Sequence, residues 1–247
     1  MALHALIFDV DGTLADTERD GHRPAFNTAF AAVGLTWCWD EALYGELLQV
    51  AGGIERILHY ARAYRRSTVP DSELHALARR LHISKTRHYV ERVAAGAVHL
   101  RPGVERLLAQ ARREGLRLAI ATTTTHANVI ALLQATLGAR AADLFEVIGS
   151  AQDVATQKPD PAVYHWVLAR LRLPPENALA FEDSRNGLVA ATRAGLACIV
   201  TPTAYRAAEN FAEALVRLTD LDHQLEEPAL PVTLNDLRRW QSRAISL

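Results

Sequence analysis

Apolar residues run unbroken through Ala5-Leu6-Ile7-Phe8 and the run stops at Asp9. Such a run predicts a short strand covered on both faces, as in a parallel sheet. From Arg101 onward, strand-like runs alternate with stretches of helical period. Pro102 opens a helix whose apolar face is Val104, Leu107, Leu108 and Ala111, and Gly115 ends it. A strand over Leu116–Ala121, a helix over His126–Leu137 stopped by Gly138, and a strand over Phe145–Ile148 follow. Next come a helix over Pro159–Leu171, a strand over Ala178–Phe181, a helix over Asn186–Ala194 ended by Gly195, and a last strand over Leu196–Val200. Strands separated by helices of this length predict βαβ units with right-handed crossovers, so the fold class is α/β with a Rossmann-like parallel sheet.

Between the first strand and Arg101 the texture changes to helical period rich in Ala, Arg and His, interrupted at Gly52-Gly53 and Val69-Pro70-Asp71. Residues 16–96 are therefore expected to form a helical insert, a candidate lid. Residues 1–15 and 97–247 form the α/β core. The tail after Glu226, with Pro228 and Pro231, reads as a loop leading to a short helix over Leu234–Trp240.

The 247 residues are 49% hydrophobic, enough for a sizeable core. A formal net charge of −1 gives no electrostatic basis for nucleic-acid binding. Cys38 and Cys198 are far apart and form no CxxC pair, which argues for a reducing compartment and against a thiolate zinc site. Neither a secretory leader nor a membrane-spanning run is legible, so a cytoplasmic protein with no membrane partner, acting as a monomer, is expected.

Ligands in open α/β sheets bind at the carboxyl ends of the strands. Four such ends carry chemistry here: Asp9 and Asp11; Thr122-Thr123-Thr124-Thr125; Lys158-Pro159; and Glu182-Asp183-Ser184. A single Asp-Gly after a strand is ordinary turn chemistry; four polar strand ends facing one crevice are not. The set suits phosphoryl transfer, which needs positioned charge more than elaborate covalent machinery. Asp9 would attack phosphorus and carry an aspartyl-phosphate. Asp11 would protonate the leaving oxygen and later deprotonate water. Asp9 and Asp183, with the main-chain carbonyl near Asp11, would ligate Mg²⁺. Thr122, with Thr123, and Lys158 would hold phosphoryl oxygens. Glu182 would act from behind the metal ligands or through a water.

Asp9-Val10-Asp11-Gly12-Thr13, the Thr122 strand end, Lys158-Pro159 and Glu182-Asp183-Ser184 resemble, in order and spacing, the four motifs of the haloacid-dehalogenase-like phosphohydrolases. The insert resembles that superfamily's C1 cap, placed after strand 1. A narrower resemblance is carried by Ala15-Asp16-Thr17-Glu18, His22-Arg23, Ala25-Phe26-Asn27, Trp37-Cys38-Trp39-Asp40, Gly52-Gly53-Ile54-Glu55-Arg56 and Ala121-Thr122-Thr123-Thr124, which look like the CbbY-type branch. That branch acts on xylulose 1,5-bisphosphate, a Rubisco-inhibiting misfire product, so the resemblance implies a role in carbon fixation. It also implies Glu18, His22 and Arg56 as substrate contacts. Arg23 joins Arg56 as a cap cation for a second phosphate. Ile54 departs from the branch, which often has lysine there and so one more cation.

Trp37 and Trp39 read as cap core, and Arg62, Arg65 and Arg66 as solvated helix faces. His59, His75, His82 and His88 lack zinc-site spacing. Three competing readings remain: a phosphoglycolate phosphatase, a β-phosphoglucomutase, and a non-catalytic phosphate binder. A dinucleotide-binding domain is disfavoured because the glycine-rich turn after strand 1 is absent.

Overall fold

The computed structural model describes residues 3–50, 52–224 and 230–244. Glu226 and Pro228 of the expected tail lie outside the described residues. Two compact units divide the chain, one made of Met1–Asp16 and His99–Leu247, the other of Thr17–Val98.

The first unit is built on a six-stranded sheet of β1 (Ala5–Phe8), β2 (Arg117–Ala121), β3 (Val147–Gly149), β4 (Ala178–Glu182), β5 (Ala197–Val200) and β6 (Val216–Arg217). Their order is β3-β2-β1-β4-β5-β6, every neighbour pair parallel, as the alternating pattern predicts. All four residues of β1 are fully buried, which explains their unbroken apolar run. Register then places the chemistry: Phe8 lies level with Ile120 on one side and Phe181 on the other. Asp9, Ala121 and Glu182 therefore leave the sheet at one height.

The helices of this unit are α5 (Val104–Arg113), α6 (His126–Leu137), α7 (Ala162–Leu171), α8 (Arg185–Arg193) and α9 (Leu234–Ala244). Val104, Leu107, Leu108 and Ala111 of α5 are buried, as the periodicity requires. Thr125 Oγ1 caps α6 by accepting from Asn128 N at 3.3 Å, and Ser184 Oγ caps α8 by accepting from Gly187 N at 3.1 Å.

Several details depart from the sequence expectation. The helix expected to open at Pro102 begins at Val104, because Gly103 before it is left-handed at φ +79°. The last strand is β6, not Leu196–Val200: its two residues, one half-buried and one exposed, carry no periodic signal. The third strand starts at Val147 because Ala141–Leu144 form a 3₁₀ turn and Phe145 packs at its end. The helix expected from Pro159 begins at Ala162, after a cis Lys158–Pro159 bond. The final helix continues to Ala244.

The second unit contains no strand among its described residues. A π-helical turn over Glu18–His22 runs into α1 (Arg23–Ala32), followed by α2 (Glu41–Leu47), α3 (Gly53–Ala63) and the long α4 (Asp71–Ala94). Its centre is aromatic. Phe26, Phe30, Trp39 and Tyr44 are fully buried, and Trp37 packs edge-on to Phe30 and Tyr60. Asn27 ties this cluster down by exchanging two hydrogen bonds with the Trp39 main chain, at 2.8 and 2.9 Å. The tryptophans are packing residues, as expected. Among the described residues, no helix is long and apolar enough to cross a membrane.

Candidate active site

Lys158 is the hub of the polar cluster at the carboxyl edge of the sheet. Its ammonium donates to Asp9 Oδ1 at 2.7 Å, Glu182 Oε1 at 2.6 Å and the Ala121 carbonyl at 2.8 Å. An ammonium has three protons, so the strand register supplies one acceptor for each. Asp9, Lys158 and Asp183 are each 6% exposed and Glu182 1%, so the ion pairs are shielded from water. Tyr164 of α7 completes the arrangement, its hydroxyl donating to Glu182 Oε1 at 2.5 Å while its ring lies 5.2 Å from the ammonium.

Asp183 lies beside this cluster, and one oxygen from each of Asp9, Glu182 and Asp183 falls within 4.8 Å of the others. Two of the three buried carboxylates, Asp9 and Glu182, pair with Lys158. Burial, with the charges of Glu182 and Asp11, pushes Asp9 up to about 7 against the pull of Lys158. Burial and the charge of Asp9 likewise raise Asp183 well above the carboxylate range, opposed by Arg206 and Arg101. Burial works against the charge on Lys158, but Asp9 and Glu182 outweigh it and the lysine keeps its proton. Hard oxygen donors with excess negative charge are the chemistry of a site for Mg²⁺ or a similar divalent cation. The residues present fit such an ion.

Two glycines make the cluster possible. Gly12 has φ +86°, and a Cβ there would fall 2.2 Å from Asp183 Oδ2. A Cβ on Gly187 would fall 1.9 Å from Glu182 Oε2, so the first turn of α8 must be bare where the carboxylate lies.

The sequence-predicted residues are placed as follows. Asp11 is half-buried in the tight loop where Val10 O accepts from Thr13 N and Leu14 N. The carboxylate trio joins Glu182, which ends β4, to Asp9 and Asp183, while Asp11, expected to offer its main-chain carbonyl, stands three residues beyond β1. Thr122 is buried and its Oγ1 accepts from Thr124 N at 3.2 Å, while Thr123 is exposed in the same turn.

Within the helical unit, Arg56 is buried and donates to Tyr44 Oη at 3.1 Å, Leu47 O at 3.2 Å and Val50 O at 3.3 Å. Tyr44 in turn donates to Glu18 Oε2 at 2.5 Å, joining two predicted residues through a third. His22 is buried and stacks on Tyr89 with centroids 4.2 Å apart. Arg23 pairs with Glu41 at 3.3 Å. Ile54 is half-buried. Arg62 pairs with Asp71, and Arg65 donates to Thr36 O, both at exposed positions as expected.

Three residues escaped the sequence reading. Tyr164 and Arg101 are known as neighbours of the cluster only from the folded chain. Lys85 had a legible signal: it interrupts the buried stripe Leu74, Ala78, Leu81, Lys85, Tyr89, Val93 on α4. Its buried ammonium lies 5.0 Å from the Phe26 ring and 5.5 Å from Tyr89. Burial, then Lys85, His22 and Arg56, push His82 down to about 4, so it is neutral within a basic group. Lys85 and Lys158 are the chain's two lysines, and both are buried.

A family model described as haloacid dehalogenase-like hydrolase matches residues 3–195. The CbbY protein of Cupriavidus necator is 51% identical over 230 residues, covering 93% of this chain and 89% of that one. A phosphoglycolate phosphatase of Yersinia pseudotuberculosis is 33% identical over 216 residues, covering 87% and 85%. The solved structure of CbbY from Rhodobacter sphaeroides in complex with phosphate superposes with TM-score 0.80 at 45% identity, covering 88% of this chain and 94% of that one. A variant of the same protein, solved with xylulose 1,5-bisphosphate, superposes with TM-score 0.80 at 46% identity.

Proposed function

Because the chain belongs to the haloacid dehalogenase-like hydrolases and is a phosphatase, we propose that it removes the 1-phosphate of xylulose 1,5-bisphosphate in a Mg²⁺-dependent reaction. The products are xylulose 5-phosphate and inorganic phosphate. One observation carries the core of this reading: the buried Asp9–Lys158–Glu182 ion network, with Asp183 beside it.

An Asp9 carboxylate oxygen forms a bond to phosphorus as the bond from phosphorus to the sugar oxygen breaks. Asp11 gives its proton to that oxygen. Water then attacks the aspartyl-phosphate, Asp11 takes the water's proton, and phosphate departs with Asp9 regenerated. Lys158 and the Thr122 hydroxyl hold phosphoryl oxygens, and Thr123 flanks them. Asp9, Asp183 and the main chain at Asp11 would hold Mg²⁺, which supplies electrostatic stabilisation of the transferred group when bound. Glu182 keeps Lys158 in place.

A bisphosphate needs a second cationic site. The basic group of the helical unit, with Arg56 and Lys85 both buried, is our candidate for it. Lys85 offers a cation that Ile54 does not. Glu18 and His22 are assigned to the sugar, and Arg23 to the margin of this site. The CbbY structure holding xylulose 1,5-bisphosphate supports the choice of substrate.

The test is phosphate release from xylulose 1,5-bisphosphate, ribulose 1,5-bisphosphate, phosphoglycolate and β-glucose 1-phosphate, with Mg²⁺ and with chelator. Strong Mg²⁺-dependent preference for the first is expected. Equal or better turnover of another ester would overturn the substrate assignment and leave the phosphatase chemistry standing.

A further inference from the structure

Arg101 lies where the chain re-enters the α/β unit, and its side chain gathers three separated segments of that unit. Nη1 donates to the carbonyls of Gly12 and Thr201 and, at 3.3 Å, to Thr201 Oγ1. Nη2 donates to Thr219 O at 2.9 Å and Pro202 O at 3.5 Å. The residue's own N–H donates to Leu14 O at 2.8 Å. These acceptors belong to the loop carrying Asp11, the exit of β5 and the exit of β6. A planar guanidinium fork can bridge carbonyls arrayed around it; the single nitrogen of lysine cannot reach them all.

The bond to Gly12 reaches the site in one step. Gly12 packs so tightly on Asp183 that a Cβ would fall 2.2 Å from its Oδ2. Thr201, the second acceptor, donates its own N–H to the Glu182 carbonyl at 2.8 Å. Burial disfavours the charge on Arg101, and Asp183 is the first of the carboxylates that offset this. The guanidinium is thus held by the same loop ends that present Asp11, Glu182 and Asp183.

We propose that Arg101 is a positioning residue for phosphoryl transfer: by clamping Gly12 and Thr201 it sets the spacing between the Asp11 loop and Asp183. The proposal rests on the roles given above to Asp11 and Asp183. Arg101 touches neither substrate nor reacting atoms in this account.

The test compares Arg101→Lys and Arg101→Ala with wild type and Asp9→Asn in the full-length protein. Readouts are kcat and KM for xylulose 1,5-bisphosphate and p-nitrophenyl phosphate, Mn²⁺ affinity by electron paramagnetic resonance, and thermal melting. Arg101→Lys should remain folded and lose about 10- to 100-fold in kcat on both esters and about tenfold in Mn²⁺ affinity, with KM within about threefold. Millimolar guanidinium should restore kcat to Arg101→Ala. Wild-type kcat and Mn²⁺ affinity in Arg101→Lys, beside an inactive Asp9→Asn, would overturn the positioning role alone. A loss confined to KM, or a loss without guanidinium rescue, would also overturn it. An active Asp9→Asn would instead overturn the underlying reaction scheme.

Discussion

Replacing Asp9 with Asn should make the chelated protein more stable near pH 8 while removing its turnover. In the folded chain the Asp9 carboxyl is raised from 3.8 to about 7, chiefly by burial. The folded state therefore holds this proton more tightly than the unfolded state between those values. The stability it contributes is present at low pH and is lost as pH rises toward about 7. Above that point the ionised carboxyl costs about 4 kcal/mol, at about 1.4 kcal/mol per pH unit over the interval from 3.8 to about 7.

That cost is already net of the charge-assisted hydrogen bond from Lys158, which lowers the Asp9 value, so Asn escapes all of it. The expected gain is about 4 kcal/mol, or about 8–16 °C in melting temperature for a chain of this size. Near pH 5 the wild-type carboxyl is protonated when folded, so the advantage should shrink by about 3 kcal/mol, to about 1–2 kcal/mol. Thermal unfolding of both proteins in chelator near pH 5 and pH 8 measures this, alongside phosphate release. An Asp9→Asn protein less stable than wild type near pH 8, or an equal difference at both pH values, would refute the reasoning. Substantial residual hydrolysis would refute the nucleophile assignment.

Asp11→Asn should lose turnover and accumulate phospho-enzyme from a substrate with a good leaving group, visible as added phosphate in the intact mass. Arg56→Ala should raise KM for xylulose 1,5-bisphosphate by about 10- to 100-fold and spare p-nitrophenyl phosphate; equal losses on both would contradict a distal-phosphate role. Gly187→Ala drives a methyl group into the Glu182 carboxylate, so it should cost about 1–3 kcal/mol in urea unfolding and lower kcat. Tyr164→Phe removes one of the hydrogen bonds to Glu182 Oε1. It should cost about 1–3 kcal/mol of stability because the acceptor is buried, and a melt matching wild type would show that the bond carries no weight.

Much of this architecture is legible in the chain. The unbroken run Ala5–Phe8 reads as a strand because both of its faces are covered, and the stripe on α5 reads as a helix because one face is. Both are local patterns imposed by a boundary between core and water. The strand β6 was illegible because its two residues, one half-buried and one exposed, are too few to show a period. Asp9, Thr122 and the Glu182-Asp183 pair were singled out because each stands at or just past the end of an apolar run, and Lys158 because it lies in the segment leading on from β3; a parallel sheet sends such ends to one edge.

What each residue touches there is a different matter. The sequence put Glu182 behind the metal ligands or bound through a water; the register of Phe8 with Phe181 sets its carboxylate against Lys158 and within 4.8 Å of those of Asp9 and Asp183. Lys85 could have been seen as a cation in an apolar stripe; Tyr164 and Arg101 could not. Tyr164 sits on a helix face that reads as ordinary core, and Arg101 gathers carbonyls from residues as distant as Gly12 and Thr219. The sequence by itself determined most of the elements, their parallel arrangement and the types of residue at the sheet's edge, because those follow from the spacing of apolar positions along one chain. Only the tertiary structure decided which charges share a proton, which glycines must stay bare and which arginine holds the loops together. Those depend on distances between residues that the sequence keeps far apart.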